Sequence, residues 1–547
     1  MTITNTLNTP ATVFGFVPRP AGSDPGVEIA RNETREITFA AGAPGTYFYW
    51  ARTVTPPGKN RFVGDQPFAL PFRADAQLNG AFIVDAEGPV PPDRIFVIDA
   101  MQAAPDVLHH LFNVWTINGK SYPYTEQLQY SMDDTIRWRV INASNMDHAL
   151  HLHGTFYRVL SLGDVDKDAR YEPSEQQTVV TQDLLAGGTM LVEWTPSHPG
   201  RWLYHCHYIG HTFTDGRVPI YGRRIAAVHA APEHVAGTPL PPDPPSAMPD
   251  MAGLVMSINV VPRPDTPPEP HARNPRKLEL VLQPESSEGK SKRITCSIRE
   301  GNQVITSHGE WAGPPLVLAR GEPVEVTVVN HADESTTVHW HGMQLDSYYD
   351  GVMGAGMGDQ VTPAIAPGGS FVARFTPTRA GTFIYHAHGF DPWQLAQGVF
   401  GALIVLNPGQ KYDPNHEVLM VIGAGNLGFG AAPTANGSGM TVNGAETFPD
   451  ISLQHGVDYR VRVVNIAPSL ETDVTLGTPQ NPVTWRETAK DGTDVPSRLA
   501  KPGNAFVHIV SGETCDFDLR VDAPSRIPVD VVNWIYKQKV SGEIVVH

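Results

Sequence analysis

The sequence predicts an all-β protein built as four β-sandwich domains in tandem. Three observations point there. The chain has 547 residues, too many for one compact core, with 50 Gly and 50 Pro spread among short strand-like runs such as Pro323–Val329 and Gly401–Leu406. Two stretches repeat one another. Asn330 is followed by seven residues and then Val338-His-Trp-His341, and Asn5 by seven residues and then Val13-Phe-Gly-Phe16. Ala380–His388 likewise parallels Pro44–Arg52, and Gly401–Val405 parallels Gly80–Val84. Finally, Pro262–Pro275 is rich in Pro and reads as a stiff linker that splits the chain into two pairs of domains.

In order, residues 1–100 form a first domain, 101–262 a second, 263–275 the linker, 276–408 a third and 409–547 a fourth. About 45 residues of strand-like sequence precede the third-domain copy of the repeat, and the copy at Met1 has none of them. The first domain is therefore expected to begin part-way through its fold, as a truncated chain or processed precursor would; dispensable edge strands are the alternative. The second domain ends in a Pro-rich insert, Thr238–Ser246, and the fourth has strand patterns such as Asp458–Val464 but no His cluster.

Composition narrows the function. Hydrophobic residues are 41 % and charged residues 18 %, as in a globular chain. A net charge of -17 argues against nucleic acid as a partner. No apolar stretch is long enough to span a bilayer. With 3 Cys there is no disulfide scaffold, and whether Cys296 and Cys515 pair with each other is open.

The 22 His carry the chemistry. They concentrate in His148-Ala-Leu-His-Leu-His153, His205-Cys-His-Tyr-Ile-Gly-His211, His339-Trp-His341 and His386-Ala-His388, each in a strand-like context. Residues i and i+2 of a strand share a face, so an HxH pair presents two imidazoles to one place, and imidazole suits copper and similar metals. In His205-Cys-His207 the alternation turns Cys206 away from both His. One metal can then take the thiolate while another takes the imidazoles, with the backbone between them as a covalent electron path. A thiolate with two His and a long, weak Met is the blue copper arrangement.

These four motifs resemble those of the multicopper oxidases, the family of laccases, bilirubin oxidases, copper oxidases and ceruloplasmin. The resemblance implies cupredoxin-like Greek-key sandwiches and four copper ions per chain. It implies His148, Cys206 and His211 as ligands of a blue (type 1) copper, and His151 and His339 as ligands of a type 2 copper. His153, His205, His207, His341, His386 and His388 would serve a type 3 pair. Asp350, in Tyr348-Tyr-Asp-Gly351, matches an Asp-Gly that assists proton delivery in the family; a turn Asp before Gly is the alternative. Implied too are dioxygen and a small reducing substrate as partners, and a periplasmic or extracellular location. Met1–Asn5 shows no signal peptide, so a cytoplasmic location stays open.

The sequence departs from the family pattern in three ways. No Met follows His211 closely, and Met251, just before a predicted strand, is the expected axial ligand, with Met256 assigned to the core. The HCH domain precedes the HxH domain, as in ceruloplasmin's tandem units, which puts the three-copper cluster at the contact of the second and third domains, within one chain and without need of oligomerisation. In the first domain Phe14, Phe16, Trp50 and Arg52 stand where the third has His339, His341, His386 and His388, so it should bind no copper and fill the space by packing.

The expected activity is one-electron oxidation of a donor at the type 1 copper, carried through Cys206, His205 and His207 to reduce O2 to water. Phenols and aromatic amines are the favoured donors. Oxidation of Fe(II), Cu(I) or Mn(II) is the alternative, to which Asp215, Glu233, Asp243 and Asp250 of the 212–250 insert could contribute. A copper nitrite reductase, or an electron carrier without turnover, would not need eight cluster imidazoles.

Overall fold

A computed structural model of the chain describes residues 1–53, 77–89, 92–102, 113–212, 251–265, 273–285, 293–306, 311–388, 391–425, 439–468, 471–533 and 537–547. Strands make up almost all of the regular structure; the helices among the described residues are single turns such as Ile209–Thr212 and the short Asp391–Ala396. Eight sheets occur among the described residues, two from each quarter of the chain. Most of the Pro-rich linker, and all of the insert after Thr212, lie outside the described residues.

The repeat seen in the sequence is a repeat in register. Val338 and His339 pair with Ala387 and His386 across their strands, and Val13 and Phe14 pair in the same way with Ala51 and Trp50. The next strand follows suit, Tyr385 opposite Gly401 and Tyr49 opposite Gly80. Both glycines are needed for a close approach: a Cβ at either would lie 2.4 Å from the tyrosine hydroxyl above it.

A deeper fourfold signature is a matching buried asparagine in each unit, at or just past the end of a strand. Asn5, Asn142, Asn330 and Asn465 each accept a backbone N–H two residues on, from Leu7, Ser144, Ala332 and Ala467. Each also donates its amide to carbonyls of the turn or the neighbouring strand, such as Ile29, Leu184, Ile365 and Ile509. The side chain thus satisfies backbone groups that the strand leaves orphaned as it turns.

The units pair in the same way twice. Arg139 of the second unit donates to Thr46 Oγ1 of the first (2.9 Å) and to Asp93 (2.7 Å). Arg462 of the fourth donates to Thr382 Oγ1 of the third (2.7 Å) and to Glu417 (2.5 Å), and binds Asp516 as well. Around the first of these knots, Phe14, Phe48 and Trp50 pack against Ile141, Ala143, Val165 and Ala186; around the second, Ile384, Phe400 and Ala402 pack against Val464 and Ile466.

In the first unit Phe14 and Trp50 stack with centroids 5.4 Å apart, and the Arg52 guanidinium sits 4.8 Å over the Phe14 ring. Packing has filled this place, as expected, but Phe16 does not share it. Gly15 takes a φ of 95° and breaks the alternation, so Phe16 joins Val13 and Ile29 in the unit's own core.

Replacing Asn465 with Ala strands the buried Ile509 carbonyl and Ala467 N–H, which should destabilise the fourth unit by about 2–4 kcal/mol. A thermal midpoint within a degree of the parent would show that the asparagine is not needed.

Candidate metal centre

Strand alternation sorts the predicted ligands into two groups. In His148–Leu152, His148 and Leu150 point to one face and His151, followed by His153, to the other; the three-residue step from His148 to His151 changes the face. In Gly200–Cys206, Tyr204 and Cys206 turn inward, and His205 and His207 outward. Register holds these strands together: Leu150 pairs with Cys206 and His151 with His205.

On the inner face His148, Cys206 and His211 converge. Cys206 Sγ lies 3.3 Å from His211 Nδ1 and 3.7 Å from His148 Nδ1, and the two nitrogens are 3.0 Å apart. A point equidistant from the three atoms is about 2 Å from each, close to the length of a metal–nitrogen bond. His148 Nε2 is 2.9 Å from Ser144 Oγ, and Ser144 Oγ donates to Asn142 Oδ1, so His148 bears its proton on Nε2 and aims the Nδ1 lone pair at the thiol. Trp115, which sequence reasoning missed, packs on both rings at 4.1 and 5.0 Å. Only its aromatic type, in a strand outside the four His clusters, could have signalled it.

Met251, expected beside Cys206, packs elsewhere, with Tyr122, Leu203, Val255, Val352 and Ala355. The residue opposite Cys206 is Leu254, whose carbonyl accepts the Cys206 N–H (3.0 Å) and whose N–H binds the His211 carbonyl (2.9 Å). Gly253, at a φ of 69°, allows this approach; a Cβ there would lie 2.1 Å from the His211 oxygen. Leu254 and Met256 share the Cys206 core, so Met256 is a core residue as expected. The acidic residues of the insert lie outside the described residues.

On the outer face His151, His153, His205 and His207 meet His339, His341, His386 and His388 of the third unit. All eight are buried. His151 stacks on His341 at 3.8 Å, and His153 lies against His339 at 4.1 Å. Ligand atoms gather in three sets, each drawing on both units: His151, His153 and His339; His153, His205 and His388; His207, His341 and His386.

One nitrogen of most rings is already engaged. His151 Nδ1 donates to the Val180 carbonyl, His339 Nδ1 to that of Asp350, His386 Nδ1 to that of Ala387 and His205 Nδ1 to that of Cys206. His207 Nδ1 meets Ser511 Oγ of the fourth unit, and His341 Nε2 meets Thr181 Oγ1. The Asp350 carboxylate accepts from His153 Nδ1 at 2.8 Å, and its Oδ1, 3.4 Å from His339 Nδ1, accepts no hydrogen bond.

The opposite nitrogens of His151, His207, His339, His341 and His386, and both of His388, are buried without a hydrogen-bond partner. His153 Nε2 and His205 Nε2 face each other at 3.0 Å although both rings carry their proton on Nδ1. Converging lone pairs with no donor between them fit a set of metal ions and fit little else.

Among the described residues no further group of this kind occurs, and the first and fourth units contribute to none. Where Cys206 lies opposite Leu150, the fourth unit has Val531 opposite Val474. Cys296 and Cys515 are free and buried.

Family models described as multicopper oxidase match residues 98–215 and 290–410. Among curated relatives, Laccase-12 of Oryza sativa subsp. japonica is 36% identical over 134 residues, 23% of this chain and 21% of that protein. Multicopper oxidase elcG of Phaeosphaeria nodorum is 32% identical over 149 residues, 27% of this chain and 22% of its own. The matched part of the chain spans about a fifth of the length of these relatives. A multicopper oxidase structure from Pseudomonas thermotolerans overlays with a TM-score of 0.37 at 24% identity, covering 50% of this chain and 65% of that one. The Blue Copper Oxidase of Nitrosomonas europaea gives 0.38 at 21%, covering 50% and 86%.

Burial holds the imidazoles of His148, His151, His153, His207, His341 and His388 well below their usual pKa, and brings His205 to about 4 and His211 and His386 to about 3. In the unfolded chain each titrates near 6.5. As pH falls from about 6.5 to 4, the unfolded state takes up protons that the folded state refuses, and folding weakens by up to about 1.4 kcal/mol per pH unit per imidazole. The metal-free protein should therefore lose thermal stability steeply across that window. A melting midpoint that stays flat from pH 7 to 4.5 would mean that the rings are not buried neutral.

Proposed function

The chain belongs to the multicopper oxidase family, and from that premise we propose that it oxidises a small reducing substrate one electron at a time and passes the electrons to dioxygen, which is reduced to water. One observation carries this reading. The strand that turns the Cys206 thiol toward His148 and His211 turns the flanking His205 and His207 into the eight-imidazole group.

His148, Cys206 and His211 would hold a type 1 copper, His151 and His339 a type 2 copper, and His153, His205, His388, His207, His341 and His386 a type 3 pair. Bound there, copper supplies the one-electron and O2 chemistry. The protein supplies the rest. The thiol, pushed up by burial, gives up its proton as a metal binds, because the thiolate is the ligand. His205 Nδ1–H donates to the Cys206 carbonyl at 2.9 Å, which adds a hydrogen-bonded path beside the covalent one. Carbonyls, hydroxyls and Asp350 hold the rings in the tautomer that aims a lone pair inward. Asp350 Oδ1, buried and unpartnered beside His339, is placed to accept and return the protons that water formation consumes.

Phenols or aromatic amines are the favoured donors, with Fe(II), Cu(I) or Mn(II) as the alternative.

Fully loaded protein should hold four copper ions per chain and consume oxygen with a phenolic donor faster than with Fe(II) or Cu(I). A ratio near eight, or no oxygen uptake with any donor, would sink the reading. Cys206→Ser should abolish the blue colour and turnover while most of the cluster copper stays, since an alcohol is a poor copper ligand; substantial residual oxidation of organic donors would count against the assignment.

A further inference from the structure

Among its described residues the fourth unit offers no ligand, yet it reaches the eight-imidazole site. The turn Lys490–Thr493 inserts between the second and third units. Asp491 takes a φ of 50°, in the left-handed region, and is buried. Its Oδ2 accepts the N–H groups of Val180 and Thr181, both at 3.0 Å, and its Oδ1 accepts the Thr514 N–H at 3.0 Å. Gly492 follows at a φ of 69° with no space for a side chain: a Cβ there would lie 2.2 Å from the Phe383 ring of the third unit. Thr514 Oγ1 donates to the Thr382 carbonyl, at the start of the strand that carries His386.

What Asp491 holds is the part of the second unit that sets two rings of the cluster. Val180 lends its carbonyl to His151 Nδ1 at 2.9 Å. Thr181 Oγ1 lies 3.2 Å from His151 Nδ1 and 3.2 Å from His341 Nε2, bridging stacked imidazoles from two different units. Among the described residues Thr181 is the one hydrogen-bond partner of His341, so its hydroxyl decides which nitrogen of that ring carries the proton. An acidic side chain whose acceptors meet three N–H groups, at a strained backbone angle, under a glycine that tolerates no substitution, is more specified than a mere domain contact requires.

We propose that Asp491 is a positioning residue for the copper cluster, acting through Thr181 on His341 and His151, so that the ligand-free fourth unit is a working part of the site. The inference rests on the copper reading above. An Asn at position 491 turns an N–H donor toward one of the N–H groups that Asp491 satisfies. A Val at 181 keeps shape and burial but gives His341 no acceptor, and its ring is then free to carry the proton on Nδ1, the nitrogen that faces the cluster.

The test uses the full chain with copper as the probe: Asp491→Asn, Thr181→Val, Thr181→Ser and, as a control, Glu175→Ala. Glu175 binds Ser497 and Arg498 at the rim of the same contact between second and fourth units, away from any ligand. Copper content, chelator competition, and the type 1 and type 2 electron paramagnetic resonance signals are read beside the melting midpoint of the metal-free protein. Asp491→Asn and Thr181→Val should keep the type 1 signal in full, change the type 2 signal and weaken copper retention by the cluster about 10-fold or more. Thr181→Ser should restore the parent behaviour, and Glu175→Ala should show it throughout. Cluster copper and signals like the parent's in both Asp491→Asn and Thr181→Val would overturn the proposal. So would a loss of type 1 and cluster copper together in step with a fall in melting midpoint, which is general loosening. A parent protein that itself lacks cluster copper would count against the copper reading instead.

Discussion

A β-strand sends successive side chains to opposite faces, and at His205-Cys206-His207 that rule separates two chemistries by a single residue. Leu150 and Leu254 flank the thiol on its own face, which is the packed interior of the second unit. The imidazoles on the other face look out of that unit altogether, toward the third. Each of the two units therefore builds half of the outer group from strands that would be stable without it. The contact between them brings eight imidazoles together, most of them held by a hydrogen bond at the nitrogen that faces away from the centre. Such a surface is costly to bury without a cation, since lone pairs then face lone pairs in a low dielectric, and the folded apoprotein bears that cost.

The geometry of the contact depends on parts of the chain that carry no ligand. The first unit sets Phe14, Phe48 and Trp50 against Ile141, Ala143 and Ala186. Between these last residues stands Asn142, which binds Ser144, which binds His148. The aromatic plug thus lies behind the chain of hydrogen bonds that fixes the tautomer of His148. The fourth unit plays a like part for the outer group through Ser511 and Asp491.

Much of this was legible in the sequence, for a physical reason. Periodicity of two is a local rule, so the HxH and HCH motifs assign faces without knowledge of the fold. The match of Phe14 and Trp50 to His339 and His386 rests on counted residues between fixed landmarks, the buried asparagine and the glycine under the tyrosine. Legibility ended where the local count ended. Met251 follows a long insert, and nothing in the sequence says which face the chain meets when it re-enters the sheet; Gly253 sets that, and it brings Leu254 to Cys206. Phe16 was misplaced because Gly15 breaks the alternation that the count assumed. Trp115, Thr181, Asp491 and Ser511 left no trace because their roles arise from contacts between distant segments.

The two interdomain knots say how such a site can persist in a chain whose copies have diverged. Arg139 with Thr46 and Asp93, and Arg462 with Thr382 and Glu417, are the same device in two places. Each buries a guanidinium only because carboxylate and hydroxyl partners satisfy it, and loss of one partner would leave a buried charge uncompensated. Ligand positions carry no such penalty. A His replaced by Phe or Trp exchanges an unpaired lone pair for apolar contact, which favours folding. The copies could therefore shed imidazoles at Phe14 and Trp50 while the arginine knots held the pairing angle, and the one contact that kept its imidazoles kept them against the gradient of stability. That points to function, not folding, as the reason they remain.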